Sequence, residues 1–385
     1  MTAVPIPRPR PADGKPSIVF VGAGAIGGYV GAHLFRAGFD VTLIDPWPAH
    51  VNAIRRDGLA FSGTVGEYSI AVPALHIHEA QQVTGRRPVD IAFVCTKLHD
   101  TAWAASLAGS CLKSDGFVVT MQNCLVEEMV AEIVGADRTI GCIASTLSAE
   151  AHRPGGIVRT RQPGGSSYTI FRAGELHGRI TPRLQSLVAM LGQVDSARAT
   201  SNLWGERWSK LVANTMTTAL SASNGMTLKS IIAGAQTRAI MVRLAAEAIR
   251  IGIALGYALE PIRTLDAQAW LDGAAGDAAA RRAIDAAFDN EMKRMTDLGY
   301  SGMAQDVRKG RRTENDFMNG YVARRGRETG LPAPTHEALS LLIGRIERGE
   351  ATMDASHLSA LVATGARPAT ARQPASTTQE RTHDW

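Results

Sequence analysis

No stretch of this chain approaches the length of a membrane span, and Met1 to Pro16, though rich in Pro and Arg, lacks the apolar segment of a secretion signal. A cytoplasmic protein with no membrane partner is the expectation by elimination. Cysteine is scarce. Cys95, Cys111, Cys124 and Cys142 show no CxxC or Cys/His ligand spacing and mostly sit in or beside apolar runs, which points away from a metal site and toward buried free thiols in a reducing compartment. A basic run interleaved with aromatics is also missing. The net charge of +5 comes mainly from arginines scattered along the chain, so it reads as a solvated surface and not a nucleic-acid face, although anionic ligands would still benefit. No internal repeat is evident. What is present, 385 residues at 45% hydrophobic and 20% charged, is a globular composition with room for two or three domains.

Ser17 to Asp45 carries an apolar run, a glycine turn, an amphipathic segment, a second apolar run and a terminal acid, in that order. This is the pattern of a dinucleotide-binding βαβ unit. Gly22 permits the tight turn, Gly24 lets the backbone approach a pyrophosphate, and Gly27 lets the helix pack closely on the strand, so phosphates meet free N–H groups at the helix start around Ala25 and Ile26. Asp45, about 20 residues on, suits a ribose diol. A glycine turn alone is a weak signal, and it is the flanking strand, helix and acid that make this one specific.

Up to about Thr200, β-rich runs (Val41 to Ile44, Ile91 to Cys95, Phe117 to Met121, Thr139 to Ile143) alternate with helical patterns, which argues for a parallel sheet. Ile157 to Phe171, interrupted by Pro163-Gly164-Gly165, is expected to add antiparallel strands at its edge. Beyond Leu203 the pattern is helical, with segments at Leu203 to Ala222, Ala235 to Leu255, Ala278 to Asp297, Asp316 to Glu328 and Thr335 to Arg348. The fold class predicted is α/β, a Rossmann-type doubly wound parallel sheet over residues 17–200 followed by an all-helical domain over 201–350, with a cleft between them. Residues 1–16 and 351–385 read as extensions, polar and mobile toward the chain ends.

In the segment opening the helical domain, Lys210, Asn214 and Thr218 are spaced one turn apart on one face of an unbroken helix. A lysine aimed into a cleft can protonate a ketone oxygen as hydride arrives. A surface lysine snorkelling over its helix fits the same spacing. Glu314 and Asp316, at the start of a later helical segment, read either as site residues or as acids placed favourably beside the helix macrodipole.

With these segments in view the chain resembles the ketopantoate reductase family over about Ser17 to Arg348. The resemblance rests on the glycine fingerprint, Cys95-Thr96-Lys97, Gln122-Asn123, Trp208-Ser-Lys-Leu-Val-Ala-Asn214, Ser301-Gly-Met-Ala-Gln-Asp306 and Arg312-Thr-Glu-Asn-Asp-Phe-Met-Asn-Gly320, in the family's order. It implies that Lys210 is the general acid for the ketone oxygen and that Glu314 orients the substrate and that lysine. It also implies that Asn123 lies near the nicotinamide, that Lys97 contacts the cofactor, that Asn214 touches the substrate, and that the protein works as a homodimer.

The departures concern substrate and coenzyme. The family's second substrate asparagine is Thr218 here, the serine that grips the carboxylate is Gly302 with Ser301 beside it, and the glycine after the asparagine is Cys124. A site loses discrimination when a hydrogen-bonding group is removed, so a substrate other than ketopantoate is expected. Asp45-Pro46-Trp47 occupies the turn where many members carry an arginine for a 2′-phosphate. A carboxylate there favours NAD, while Arg55 and Arg56 leave NADP open. The resulting expectation is an NAD(P)-dependent dehydrogenase or reductase acting on a 2-hydroxy acid or related secondary alcohol, with Asn123, Asn214, Thr218 and Ser301 as substrate contacts. Authentic NADPH-dependent ketopantoate reduction and a non-catalytic dinucleotide sensor are the alternatives.

Overall fold

The computed structural model describes residues 14–364 apart from 86, 294 and 296–298; most of the N-terminal extension and the chain beyond 364 lie outside the described residues. The strands in chain order are β1 (Ser17–Val21), β2 (Asp40–Asp45), β3 (Leu59–Gly63), β4 (Tyr68–Ile70), β5 (Ala74–His76), β6 (Val89–Val94), β7 (Leu112–Thr120), β8 (Thr139–Ala144), β9 (Ala149–Arg153), β10 (Gly156–Arg159), β11 (Phe171–Glu175) and β12 (Ala197–Ala199). Eight of them form one sheet in the order β12-β11-β8-β7-β6-β1-β2-β5. From β5 to β8 every pair is parallel; β11 runs antiparallel to β8, and β12 closes that edge parallel to β11. The period of two sends Ile18 and Phe20 of β1 into one apolar layer and Val19 and Val21 into the other, so both faces are buried, as a parallel sheet requires.

Helices α1 (Ala25–Arg36), α2 (Pro48–Asp57), α3 (Gln81–Thr84), α4 (Thr101–Ser110), α5 (Glu127–Val134) and α6 (Pro182–Leu191) accompany this half. The chain leaves β1 toward β2 on one side and returns to β6 on the other, so the carboxyl ends of β1 and β6 flank the reversal of strand order where α/β folds bind ligands. The segment expected to add edge strands divides. β11 joins the main sheet, but β10 leaves for a separate four-stranded sheet, β4-β3-β10-β9, that rests on α1. Gly28 makes that approach possible, since a Cβ there would lie 2.9 Å from Ile157 Cδ1.

The second half is built of α7 (Leu203–Thr215), α8 (Thr218–Asn224), α9 (Leu228–Ala233), α10 (Ala235–Ala254), α11 (Ala267–Ala275), α12 (Ala278–Met292), α13 (Gly302–Arg308), α14 (Asn319–Glu328), α15 (Pro334–Glu347) and α16 (His357–Thr364). The apolar face of α10 is its spine. Fully buried Trp208 of α7 lies against Gly252, where a Cβ would come within 2.5 Å of the indole, and its Nε1–H donates to Ala248 O at 2.8 Å. This core also takes in Leu98, Cys124, Leu125 and Val126 from the strand half, so part of the seam between the halves is packed.

Two expectations are corrected here. The helix expected over Leu203 to Ala222 breaks after Thr215, where the Thr217 N–H turns back to Asn214 O at 3.2 Å. A cluster of β-branched threonines at 215, 217 and 218 crowds continued helix. Thr218 therefore opens α8 and does not share an unbroken helical face with Lys210 and Asn214. Glu314 precedes a short 3₁₀ turn, Asn315–Phe317, and α14 starts only at Asn319. The C-terminal extension is folded as far as α16, whose Leu358 and Leu361 are buried and whose Leu361 and Val362 carbonyls accept from Arg243. Among the described residues no helix is long and apolar enough to cross a membrane, and no cluster of His, Cys, Asp or Glu could hold a metal ion.

Candidate active site

The glycine turn sits at the reversal point. Gly22 has φ +100°, and a Cβ there would fall 2.7 Å from the Cys95 carbonyl carbon; a Cβ on Gly27 would fall 2.7 Å from Cys95 Cβ. Gly24 is the opposite case, because a Cβ would meet nothing within 4 Å. Two glycines are thus required by the protein's own packing and the third faces open space, beside α1 N–H groups at Ala25, Ile26 and Gly27 that have no backbone acceptor within the helix. These features fit a pyrophosphate. Asp45 is buried at the tip of β2, with Oδ2 accepting from Ala23 N–H at 2.7 Å and Oδ1 from Trp47 N–H at 2.9 Å, so it also shapes the turn it belongs to. Arg55 is directed away, onto Glu79 and the Ala74 carbonyl, and Arg56 pairs with Asp57.

Behind the turn, His50 is 1% exposed. Its Nδ1 faces the Gly155 N–H at 3.0 Å and its Nε2 faces the Ala23 carbonyl at 2.9 Å, which fixes the tautomer with the proton on Nε2. The ring also stacks on Trp47 at 5.4 Å between centroids. The sequence offered no signal for this histidine, because its partners lie on other elements.

Lys97 and Glu314 meet across the seam. Lys97 Nζ lies 2.6 Å from Asp306 Oδ2 and 3.7 Å from Glu314 Oε2, and Glu314 Oε1 accepts from the Leu98 N–H at 2.9 Å. Burial is the largest influence on the Lys97 ammonium and lowers its pKa, but the Glu314 and Asp306 carboxylates outweigh it and hold the group above its ordinary value. Gln122 ties the neighbouring turns together by donating to Thr96 O at 3.0 Å and Thr101 Oγ1 at 2.9 Å, and Asn123 beside it is exposed with no side-chain hydrogen bond among the described residues.

Lys210 lies deeper. Its Nζ donates to Ala144 O, at the end of β8, at 2.6 Å. Burial, then the cations of Arg207 and Arg172, lowers its pKa from 10.5 to about 7. Arg207 is 1% exposed and forms an ion pair with Glu127, itself fully buried. It also donates to Gln122 O at 2.6 Å, Thr120 Oγ1 at 3.1 Å and Cys142 O at 3.2 Å. Sequence reasoning missed this pair, since an arginine and a glutamate 80 positions apart carry no motif.

The expected pairing of Glu314 with Lys210 is replaced by one with Lys97 and the Leu98 backbone, because Glu314 leads a 3₁₀ turn directed at the Lys97 loop. Asn214, half-buried on α7, keeps a side chain with no hydrogen bond among the described residues. Ser301, expected as a substrate anchor, is used otherwise. Its hydroxyl donates to Thr218 O at 2.9 Å and accepts from Ala304 N–H at 3.0 Å, capping α13, so its only proton is already engaged. At Gly302 a Cβ would meet nothing within 4 Å, so the space a serine would fill is open. Trp270, by contrast, is enclosed against Phe288 with its N–H on Ile262 O. Cys124 stands in the left-handed region at φ 61° while 3% exposed, with the fields of Glu314 and Lys210 reaching its thiol.

Two family models match. That described as ketopantoate reductase PanE/ApbA covers residues 18–170, and that described as ketopantoate reductase PanE/ApbA C terminal covers residues 202–347. Among curated relatives, the 2-dehydropantoate 2-reductase of Mesorhizobium japonicum is 28% identical over 358 residues, 86% of this chain and 98% of its own. That of Halobacterium salinarum is 26% identical over 335 residues, 86% of this chain and 99% of its own. Among solved structures, a ketopantoate reductase from Ralstonia eutropha aligns with TM-score 0.70 and 26% identity over 87% of this chain and 99% of its own. D-mandelate dehydrogenase, solved with NADH and anilino(oxo)acetate, shares the fold with TM-score 0.71 at 21% identity over 86% of this chain and 99% of its own.

Proposed function

The chain belongs to the ketopantoate reductase family of oxidoreductases acting on CH–OH groups, and within it we propose an NAD(H)-linked dehydrogenase that interconverts a 2-hydroxy acid, or a related secondary alcohol, with its ketone. The observation that carries the reading is Lys210, an amine at the seam of the two halves whose pKa is lowered to about 7. A group titrating there holds a proton to give to an alkoxide in reduction and, deprotonated, accepts the hydroxyl proton in oxidation. A bound nicotinamide supplies or accepts the hydride. The chain's own groups then have separate tasks: the α1 N-terminus and the open face of Gly24 receive the pyrophosphate, and Asp45 accepts from the ribose diol. The amides of Asn123 and Asn214 hold polar groups of nicotinamide and substrate, and Lys97 with Glu314 lines the closed side. We take residues 17–200 as the cofactor half and 201–350 as the substrate half.

Support for NAD comes from the Asp45 carboxylate and from Arg55 and Arg56 being engaged elsewhere. Support for a substrate other than ketopantoate comes from Thr218 outside the α7 face, Ser301 used as a cap, and the open space at Gly302. The names of the curated relatives favour a second reading, ketopantoate reduction. One experiment separates them: reduced-nicotinamide absorbance is followed with ketopantoate and with a panel of linear, branched and aromatic 2-hydroxy and 2-keto acids, each with NAD and NADP. Expected is NAD-linked turnover of a panel acid that falls by roughly 10²–10⁴-fold in Lys210→Ala. Wild-type turnover in that variant would remove Lys210 from the chemistry, and NADPH-linked ketopantoate reduction exceeding all else would establish the second reading.

A further inference from the structure

Arg207 lies on α7, one helical turn before Lys210, and is only 1% exposed. Its guanidinium gathers groups from several elements: Glu127 of α5, Thr120 at the end of β7, the Gln122 carbonyl next to Asn123, and the Cys142 carbonyl of β8. Glu127 is in turn held by the Thr120 hydroxyl at 2.7 Å and the Val126 N–H at 3.1 Å. Burying such a pair costs several kcal/mol per ion before the mutual attraction returns it, so it is poor evidence of stabilisation and better evidence of positioning. Lys210 itself is fastened to β8 two residues beyond Cys142, at Ala144.

We propose that Arg207 is a positioning residue for the reaction: it locks the helix bearing Lys210 to the carboxyl ends of β7 and β8 and keeps a permanent cation one turn from the Lys210 amine. The inference rests on Lys210 acting as the acid–base group. The charged and titratable groups facing that amine are Arg207 on its own helix, Arg172 on β11, and the thiols of Cys124 and Cys142. Arg172 is itself paired with Glu206 at 3.0 Å. Arg207 acts on the amine by repulsion, which favours the neutral form, while its donor fork sets the distance from Lys210 to the Gln122-Asn123 turn. A lysine could supply the charge but not the fork.

Two variants divide these roles. In Arg207→Met combined with Glu127→Gln, which removes both charges together, the Lys210 midpoint, read by competitive acetylation against pH with peptide mass spectrometry, is expected to rise by about one pH unit. The limb of the kcat profile for hydroxy-acid oxidation should rise with it. In Arg207→Lys the midpoint should stay within a few tenths of a unit of the wild-type value while kcat drops roughly tenfold or more, as expected for a displaced reacting group. Because acetylation reads the amine without turnover, it stands apart from any failure of the acid–base assignment, which Lys210→Ala tests. An unchanged midpoint in the double variant, or native kcat in Arg207→Lys, overturns the proposal; the second variant decides the positioning role if the first does not fold.

Discussion

Lys210→Met should abolish activity and change stability by an amount that depends on pH, most in favour of methionine in acid. In the unfolded chain the amine keeps its proton up to about 10.5, whereas in the native state it releases it near pH 7. Below pH 7 the wild type carries the full cost of burying the ammonium; between 7 and 10.5 the unfolded state binds more protons, so wild-type stability rises with pH, and above 10.5 the cost is gone. At about 1.4 kcal/mol per pH unit, the interval from 10.5 to about 7 amounts to about 5 kcal/mol. Lys210 is half-buried by exposed area, so solvent screening reduces this to roughly 2–3 kcal/mol. Methionine also leaves the Ala144 carbonyl without its donor, a cost of about 1–3 kcal/mol that does not vary with pH. The quantity to measure is therefore the difference between variant and wild type, by urea unfolding at intervals from pH 6 to pH 10. The difference should be most favourable to methionine near pH 6 and decline by about 2 kcal/mol or more toward pH 10. A difference that is flat across the range, or that grows with pH, would refute the claim that the amine is desolvated.

Buried His336, lowered to about 4 by burial with Nε2 on Leu244 O, binds its proton more weakly when folded; the stability this contributes is complete above pH 6.5 and is lost as pH falls toward 4, by up to about 3 kcal/mol. His336→Gln should flatten the acid limb of a urea-midpoint series run from pH 7.5 to 5. Cys124→Gly should relieve left-handed strain of about 1 kcal/mol, so its melting temperature should equal or exceed that of Cys124→Ala, which loses the thiol without relieving the backbone. Asp45→Asn removes a charge but keeps one acceptor for the Ala23 or Trp47 N–H, and should shift the NADH-to-NADPH ratio of kcat/KM toward NADPH by roughly tenfold, about 1.4 kcal/mol. Native thiols should react slowly with a disulfide reagent, since burial pushes Cys111 to about 11 and Cys142 to about 12 and raises Cys95 and Cys124 as well; full reactivity of all four should appear only on unfolding.

The cofactor half was legible because its signals are local. Glycine spacing, alternating apolar runs and an acid at a fixed distance each constrain a few neighbouring residues, and β1, α1 and β2 follow from them. The departure of β10 into a second sheet was not legible, because it depends on Ile157 meeting Gly28 of a distant helix. The α7 break at Met216 hides in a run whose apolar period continues across it. At the site, Lys210 could be singled out from helical spacing, but its acidity depends on burial at the seam and then on the cations of Arg207 and Arg172, which no local pattern shows. Ser301 shows the converse: its motif position is evident, but whether its hydroxyl faces a ligand or caps a helix is decided by the Ala304 N–H and the Thr218 carbonyl.

The ion pair between Glu127 and Arg207 also bears on how such a protein can be taken apart. The short link between β12 and α7 looks like a natural place to cut or to graft. A strand half severed there would keep a carboxylate that the intact protein buries fully but lose its counter-charge, and the helical half would keep an equally stranded guanidinium. Each fragment would carry an uncompensated ion on a face that the intact protein buries. A hybrid joining this strand half to another helical half would therefore need to keep both members of the pair or neither.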